Sequence, residues 1–372
     1  MIIPTLHDLA AIRGKKILVR LDLNTPIKEG KVVDDFRITQ SLPTINYLKD
    51  KGAKIIIISH IEGSSETLRP AYEYLQQHLS ISFCPDLIEK GEPVISNMHE
   101  GDILLCENIR QYPGEKDNDK NFTKKLASFG DAYVNDAFPV SHRSHASIVG
   151  IPKFIPGFMG FQFQKEVDSL SRAFNPPRPF LFILGGAKFD TKFPLVTKFL
   201  DIADSVFVGG ALANDLLKAK GLPVGKSLIS SGSIDFSKII AHKKIIIPTD
   251  VAVQSPHGVD VKPADKVQDD ESIFDVGEET TNHLEREIKK AQCILWNGPL
   301  GLYEKGFKQA TLRIAKAVSD SPALTIVGGG DTLAAILELK LADRFSFLST
   351  GGGAMLDFLA QGTLPGIDAL KK

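Results

Sequence analysis

Cysteine is scarce in this chain: Cys84, Cys106 and Cys293 are the only three. They are scattered, with no CxxC pair and no zinc-type spacing, which argues against a disulfide scaffold and a structural zinc site. Reduced, buried thiols are expected instead. Net charge is also lacking. The 44 Lys and Arg residues against 45 Asp and Glu leave −1. That excludes an overall nucleic-acid footprint, so any anion binding must be local. No segment carries about 18 uninterrupted apolar residues, so no membrane span is expected. The opening "MIIPTLHDLAAIRGKK" has no apolar signal core, and a cytoplasmic location is expected.

Two nucleotide motifs are missing as well. A dinucleotide fingerprint needs G-x-G-x-x-G, and after Gly328 and Gly330 the third position is Leu333. This disfavours an NAD-dependent dehydrogenase. "GKS" at 225–227 resembles the end of a P-loop, but the glycine required earlier is Lys220 and no apolar strand leads in.

What is present is globular. The 372 residues are 43% hydrophobic and 24% charged, too many for one ordinary core, so two domains are expected. Ten short apolar runs recur: 16–24, 53–60, 102–110, 132–138, 180–188, 205–213, 244–253, 293–301, 324–332 and 345–354. Each is followed by a polar or glycine-rich turn and then a helical pattern. Such alternation predicts α/β architecture, two doubly wound parallel-sheet domains. "IPKFIPGFMG" at 151–160 marks the boundary, and "FQFQKEVDSLSRAF" at 161–174 reads as an amphipathic helix ended by "NPPRP". The expected division is 1–157 and 175–354, joined by a helix over 158–174, with the tail 355–372 returning to the first domain.

In open parallel sheets ligands bind beyond the carboxyl ends of the strands. In the first half those ends carry Asp22 and Asn24, then His60, then Arg110, then His142, Arg143 and His145, with Arg37 in "DDFRITQSLPTI". So many cationic groups at one sheet edge point to a small, multiply charged anion. In the second half the ends are glycine-rich: Gly185–Gly186, Gly209–Gly210, Gly298, Gly328–Gly330 and Gly351–Gly353. Tight turns also want glycine, but several such loops in one domain favour a nucleotide with its phosphates on helix amides. Lys188 and Lys192 in "GGAKFDTKF" share a helix face at i and i+4, where two cations repel unless an anion lies between them. "IVGGGDTLAAIL" leaves Asp331 open as a helix cap or a metal ligand. A basic site in one half and a phosphate cradle in the other form the layout of a phosphotransferase that closes to expel water.

These stretches resemble phosphoglycerate kinases nearly end to end: "LVRLDLNTP", "DDFRITQSLPTI", "ENIRQYPGE", "NDAFPVSHRSHAS", "LGGAK", "VGKSL", "WNGPLGLYE", "GGGDTLAAI" and "STGGGA". The resemblance implies transfer of a phosphoryl group between 1,3-bisphosphoglycerate and ADP, in reverse from ATP to 3-phosphoglycerate, by a cytoplasmic monomer. It implies that Asp22, Leu23, Asn24, Arg37, His60, Arg110 and Arg143 bind the phosphoglycerate. It places Lys188, Lys192, Gly210, Asn297, Glu304, Gly329, Gly330, Asp331 and Thr332 at the nucleotide. Mg²⁺ falls to Asp331, and Arg37 and Lys192 stabilise the transferring group. The acceptor is a carboxylate, ionised at neutral pH with an ordinary pKa near 4, so no general base is required.

The chain departs from this family at two places. Where the family usually reads Ser-His-Leu-Gly-Arg-Pro, this sequence reads "SHIEGSSETLRP". Glu62 and Gly63 replace Gly-Arg, and the nearest arginine is Arg69. One substrate arginine is therefore missing or supplied by Arg69. Pro139–Val140 replace Gly-Thr before His142–Arg143 and stiffen that turn. The alternative reading, a nucleotide-binding pseudoenzyme or scaffold of the same fold, rests on the loop after His60 alone.

Overall fold

A computed structural model describes residues 3–62, 67–187, 189–231 and 235–371. The chain divides into two units, residues 1–168 with 361–372 and residues 169–360.

The first unit is built on a six-stranded parallel sheet. Its spatial order is Ser82–Cys84, Ile103–Cys106, Lys54–Ile58, Lys16–Leu21, Ala132–Asp136 and Gly157–Met159. The central strands are β-branched and apolar because helices cover both faces. Ile17, Val19 and Leu21 enter one core with Ile55, Ile57 and Val134. The alternate positions Leu18, Ile56 and Tyr133 are buried on the other face. Arg20 lies on that second face and is fully buried.

The second unit has its own six-stranded parallel sheet. Its order is Ile245–Ile246, Ser205–Val208, Phe180–Leu184, Cys293–Asn297, Leu324–Gly328 and Phe347–Ser349. In chain order this is 3-2-1-4-5-6, the Rossmann arrangement, with its switch point between Phe180–Leu184 and Cys293–Asn297. Trp296, fully buried, sits in register with Ile183 on one side and Val327 on the other.

The α/β doubly wound expectation holds, with three local corrections. The run 244–253 is not one strand. It splits into Ile245–Ile246 and Asp250–Ser255, and the latter is the middle of an antiparallel sheet with Gly258–Pro263 and Ser272–Val276. Pro248 lies at the break and has no N–H for a ladder. The short strands Ser82–Cys84 and Gly157–Met159 were not among the apolar runs, because three residues give too little periodicity to read. The amphipathic segment is an α-helix over Phe161–Ser171, and its last turn, Arg172–Phe174, tightens to a 3₁₀ turn.

Candidate functional site

The first cluster lies beyond the strand ends of the first unit. Lys16–Leu21 delivers Asp22, Leu23 and Asn24, and the first turn of the helix Phe36–Asp50 delivers Arg37. The Asp22 carboxylate, almost buried, accepts from Arg37 Nη1 at 2.8 Å and from the Asn24 N–H at 3.2 Å. Arg37 also reaches the Asn24 carbonyl at 3.4 Å. Leu23 turns its side chain into the core, and its N–H donates to Ser59 Oγ at 3.0 Å. Only its backbone is placed among the polar groups.

His60 follows Lys54–Ile58 and is buried. The Arg20 guanidinium lies 3.1 Å from its Nδ1. A guanidinium only donates, so Nδ1 accepts and the ring hydrogen sits on Nε2. Burial, then Arg20, Arg110, Arg143 and Arg37, hold His60 well below the usual histidine range. It is a neutral donor. Arg20 also donates from Nε to Ser147 Oγ at 3.0 Å and from Nη1 to the Leu21 carbonyl at 2.5 Å. Ser147 Oγ in turn donates to the buried Glu115 carboxylate at 2.6 Å. Glu115 thereby sets a negative charge against Arg20. The sequence reading passed over Arg20; the visible signal was a lone charge inside the apolar run "KILVRLDLN".

Arg110 stands in the 3₁₀ turn Ile109–Gln111, which Asn108 caps through its side chain. Its side chain is only 6% exposed. Among the described residues its Nε and Nη2 have no hydrogen-bond partner. Its Nη1 pairs with the Glu62 carboxylate, which also lies 3.6 Å from Arg143 Nη1. Arg69 does not stand in for the missing arginine. It begins the helix Arg69–Leu75, and its guanidinium stacks 4.7 Å from the Phe83 ring centre. Gly63 lies outside the described residues.

His145 is a second histidine held neutral. Burial, then Arg110 and Arg143, lower it from 6.5 to about 4. Between those values the unfolded chain binds a proton that the folded chain excludes, so stability falls as pH drops through that range. The His145 contribution is a decline in melting temperature from pH 6.5 toward pH 4, opposite in sign to that of the buried carboxyls Asp136 and Asp275, pushed up to about 6 and about 7. His145→Gln should flatten that decline; an unchanged slope would remove His145 from the account.

The second cluster surrounds the switch point of the second unit, in a cleft of about 430 Å³ lined by Gly186, Gly210, Pro299, Leu300, Glu304 and Asp331, among others. Most glycines here serve packing. Gly210 has φ 62°, and a Cβ on it would meet Gly186 N at 2.6 Å. Gly330 is different. Its φ is ordinary for any residue and a Cβ on it would meet nothing within 4 Å. Neither strain nor crowding calls for glycine there, whereas a ligand approaching the first turn of a helix would.

Gly329 is the N-cap of the helix Gly330–Glu338, and no side chain caps it. Asp331 is therefore not the cap that its residue type suggested; it projects from the first turn. Burial, then Glu304, raise the Asp331 carboxyl, and Lys192 opposes them. Thr332 Oγ1 is buried and has no partner among the described residues. Lys192 Nζ donates to the Gly185 carbonyl at 2.7 Å. Its burial lowers the ammonium to about 8, against a smaller raising effect from Asp331. Asn297 ends its strand buried, with Nδ2 at 3.6 Å from Met355 Sδ. Lys188, the other half of the lysine pair, lies outside the described residues. Asp275, which the sequence reading did not single out, lines the cleft and is pushed up to about 7 by burial. Its oxygens accept from the Val276 and Ala310 N–H groups at 2.9 and 3.3 Å, a structural use.

"GKS" at 225–227 is no phosphate loop. Gly225 bridges to Ser272, and Ser227 Oγ accepts from the Ile273 N–H at 2.8 Å. Among the described residues no group of three or more His, Cys, Asp or Glu is placed to hold a metal.

The profile of the phosphoglycerate kinase family matches residues 6–362. The chain belongs to that family. A phosphoglycerate kinase of Dictyoglomus turgidum is 41% identical, covering 97% of this chain and 96% of its own. One of Borrelia garinii subsp. bavariensis is 40% identical over the whole of both chains. Among solved structures, phosphoglycerate kinase from Coxiella burnetii is 36% identical with a TM-score of 0.86, covering 99% of each chain. That from Pyrococcus horikoshii is 33% identical with a TM-score of 0.87, covering 99% of this chain and 98% of the other. Within the first unit, the carboxylate of Glu62 stands inside the cluster formed by Arg110 and Arg143.

Proposed function

We propose that this chain transfers a phosphoryl group between 1,3-bisphosphoglycerate and ADP, and in reverse from ATP to the carboxylate of 3-phosphoglycerate. Asp22, the Leu23 backbone, Asn24, Arg37, His60, Arg110 and Arg143 would hold the phosphoglycerate. His60 takes part as a neutral donor through Nε2. Lys188, Lys192, Gly210, Asn297, Glu304 and the loop Gly329 to Thr332 would hold the nucleotide, with the ribose at Glu304. The observation that carries the nucleotide half is Gly330, which leaves the helix start open beside Lys192 and Asp331.

Asp331 would hold Mg²⁺ together with the nucleotide phosphates, and the ion would neutralise charge on them. The protein's own part is positioning and charge. The carboxylate nucleophile is ionised without help, so the neutral His60 and His145 are not called on as bases. Arg37 and Lys192 would stabilise the transferring group in a loose transition state. The reaction requires both substrates to meet away from water, which assigns a hinge role to the helix Phe161–Ser171. We take the working protein to be a cytoplasmic monomer.

The test is a coupled assay for ADP formed from ATP and 3-phosphoglycerate. Turnover no higher than that of Lys192→Ala would overturn the reading. A narrower expectation concerns Asp331→Asn. Because Asp331 makes no cap bond, its melting temperature should stay close to wild type. Its requirement for Mg²⁺ should rise by roughly tenfold or more, the loss of a charged ligand contact being worth about 1.5–3 kcal/mol. A large drop in melting temperature with unchanged Mg²⁺ dependence would return Asp331 to a structural role.

A further inference from the structure

Glu62 is a carboxylate inside a cluster assembled for anions. Arg110 and Arg143 face it, and His60, held neutral, lies in the same cluster. An ion pair between two solvent-exposed side chains ordinarily contributes little and has no functional bearing. Three observations set this pair apart. The Arg110 side chain is 6% exposed while that of Glu62 is 49% exposed, so the carboxylate reaches inward from solvent to a buried cation. Arg110 Nε and Nη2 lack partners among the described residues, so Glu62 satisfies only part of the guanidinium fork. Glu62 is anchored through its N–H to Asn24 Oδ1 at 2.9 Å. Its side chain can therefore rotate outward without displacing the backbone.

A guanidinium fork matches two oxygens of one group, and a buried donor left unmet is expensive. A phosphate monoester brings three oxygens and nearly two charges at neutral pH. It can take the Nη1 position of Glu62 and also meet Nε or Nη2. The carboxylate thus holds the place of a better ligand. We propose that Glu62 is an internal counter-anion that competes with the substrate's anionic group for Arg110 and Arg143, and so sets the affinity of this site. The proposal rests on the phosphoglycerate reading for the identity of the substrate, but the competition applies to any phosphate monoester or to inorganic phosphate. Arg69, engaged on Phe83, leaves Glu62 without a replacement cation from that segment.

The test uses the full chain and two probes, inorganic phosphate and 3-phosphoglycerate, in titration calorimetry. Glu62→Gln keeps the size and removes the charge. It should bind both probes about tenfold more tightly than wild type and lower KM for 3-phosphoglycerate. Phosphate should raise its melting temperature more than that of wild type. The gain should vanish when Glu62→Gln is combined with Arg110→Ala. Unchanged or weaker binding in Glu62→Gln would overturn the proposal and make Glu62 a positioning or inert residue. A gain that survives Arg110→Ala would also overturn it, since the anion would then sit elsewhere. Failure of the kinase reading is separable. A wild type without turnover whose Glu62→Gln variant still gains phosphate affinity sinks that reading and leaves the competition standing.

Discussion

Lys192→Met should lower kcat by a factor of about 10²–10³ without lowering the melting temperature. The size follows from removing one preorganised positive group from a site where charge is redistributed in the transition state. The stability half follows from burial. Folding lowers the Lys192 ammonium from 10.5 to about 8. Below pH 8 both states hold the proton, and the folded state bears the full penalty, roughly 3 kcal/mol at about 1.36 kcal/mol per pKa unit. Between pH 8 and 10.5 the unfolded chain binds more protons, so stability rises with pH there. Methionine fills similar space without a charge. It also gives up the bond to the Gly185 carbonyl, which offsets part of the gain. Calorimetry at pH 7 together with the coupled assay checks both halves. Retained activity would remove Lys192 from the transferring group. A marked fall in melting temperature would mean that its bond to Gly185 outweighs its burial.

Arg37→Ala should reduce kcat/KM for 3-phosphoglycerate by a factor of about 10³ or more, with Arg37→Lys recovering little. Arg37 is one-third exposed, yet it is fixed by Asp22 at 2.8 Å and by the Asn24 carbonyl. It is therefore oriented before any ligand arrives, and preorganised charge is what lowers a barrier. Lysine carries the charge but not the planar fork, so it cannot hold Asp22 and a ligand oxygen in the same geometry. The substitution also strands the Asp22 carboxylate, whose side chain is 6% exposed. A buried acceptor without its partner costs about 1–3 kcal/mol, so a modest loss of melting temperature accompanies the kinetic loss. The decisive comparison is Arg37→Lys. Near-normal kcat/KM in that variant would reduce the role of Arg37 to bulk charge.

These expectations draw unequally on sequence and structure. Most of the strand runs and the glycine turns that follow them are local patterns, and they read correctly from the chain alone, the run 244–253 apart. Gly328–Gly330 and Asp331 were legible in this way as a loop opening a helix. What Asp331 does there was not, because a residue that often caps helices looks the same whether or not it caps. Gly329 takes the cap position at φ 102° and leaves the carboxylate free of that duty. The run 244–253 misled because apolar residues are expected of a parallel strand and of one face of an antiparallel sheet alike. Only Pro248 hinted at the break.

The region after His60 shows the limit most clearly. From the sequence, Glu62 was a substitution and Arg69 a candidate replacement. The fold puts Arg69 on Phe83 and turns Glu62 onto Arg110. Sequence proximity could not order those two alternatives, since the partners are Phe83, Arg110 and Arg143, distant along the chain. Arg20 is the same case: its burial, its hold on His60 and its compensation by Glu115 join residues 20, 60, 115 and 147.

By itself, the sequence determined the α/β class, the doubly wound character, the family and the residue types available at each strand end. Those follow from short-range periodicity and from motifs that occupy a few adjacent positions. The tertiary structure decided which charges face one another, which histidines stay neutral, which glycine leaves room for a ligand and which anion already occupies the arginine cluster. Burial and Coulomb interaction depend on separation in space, and only the fold sets that separation.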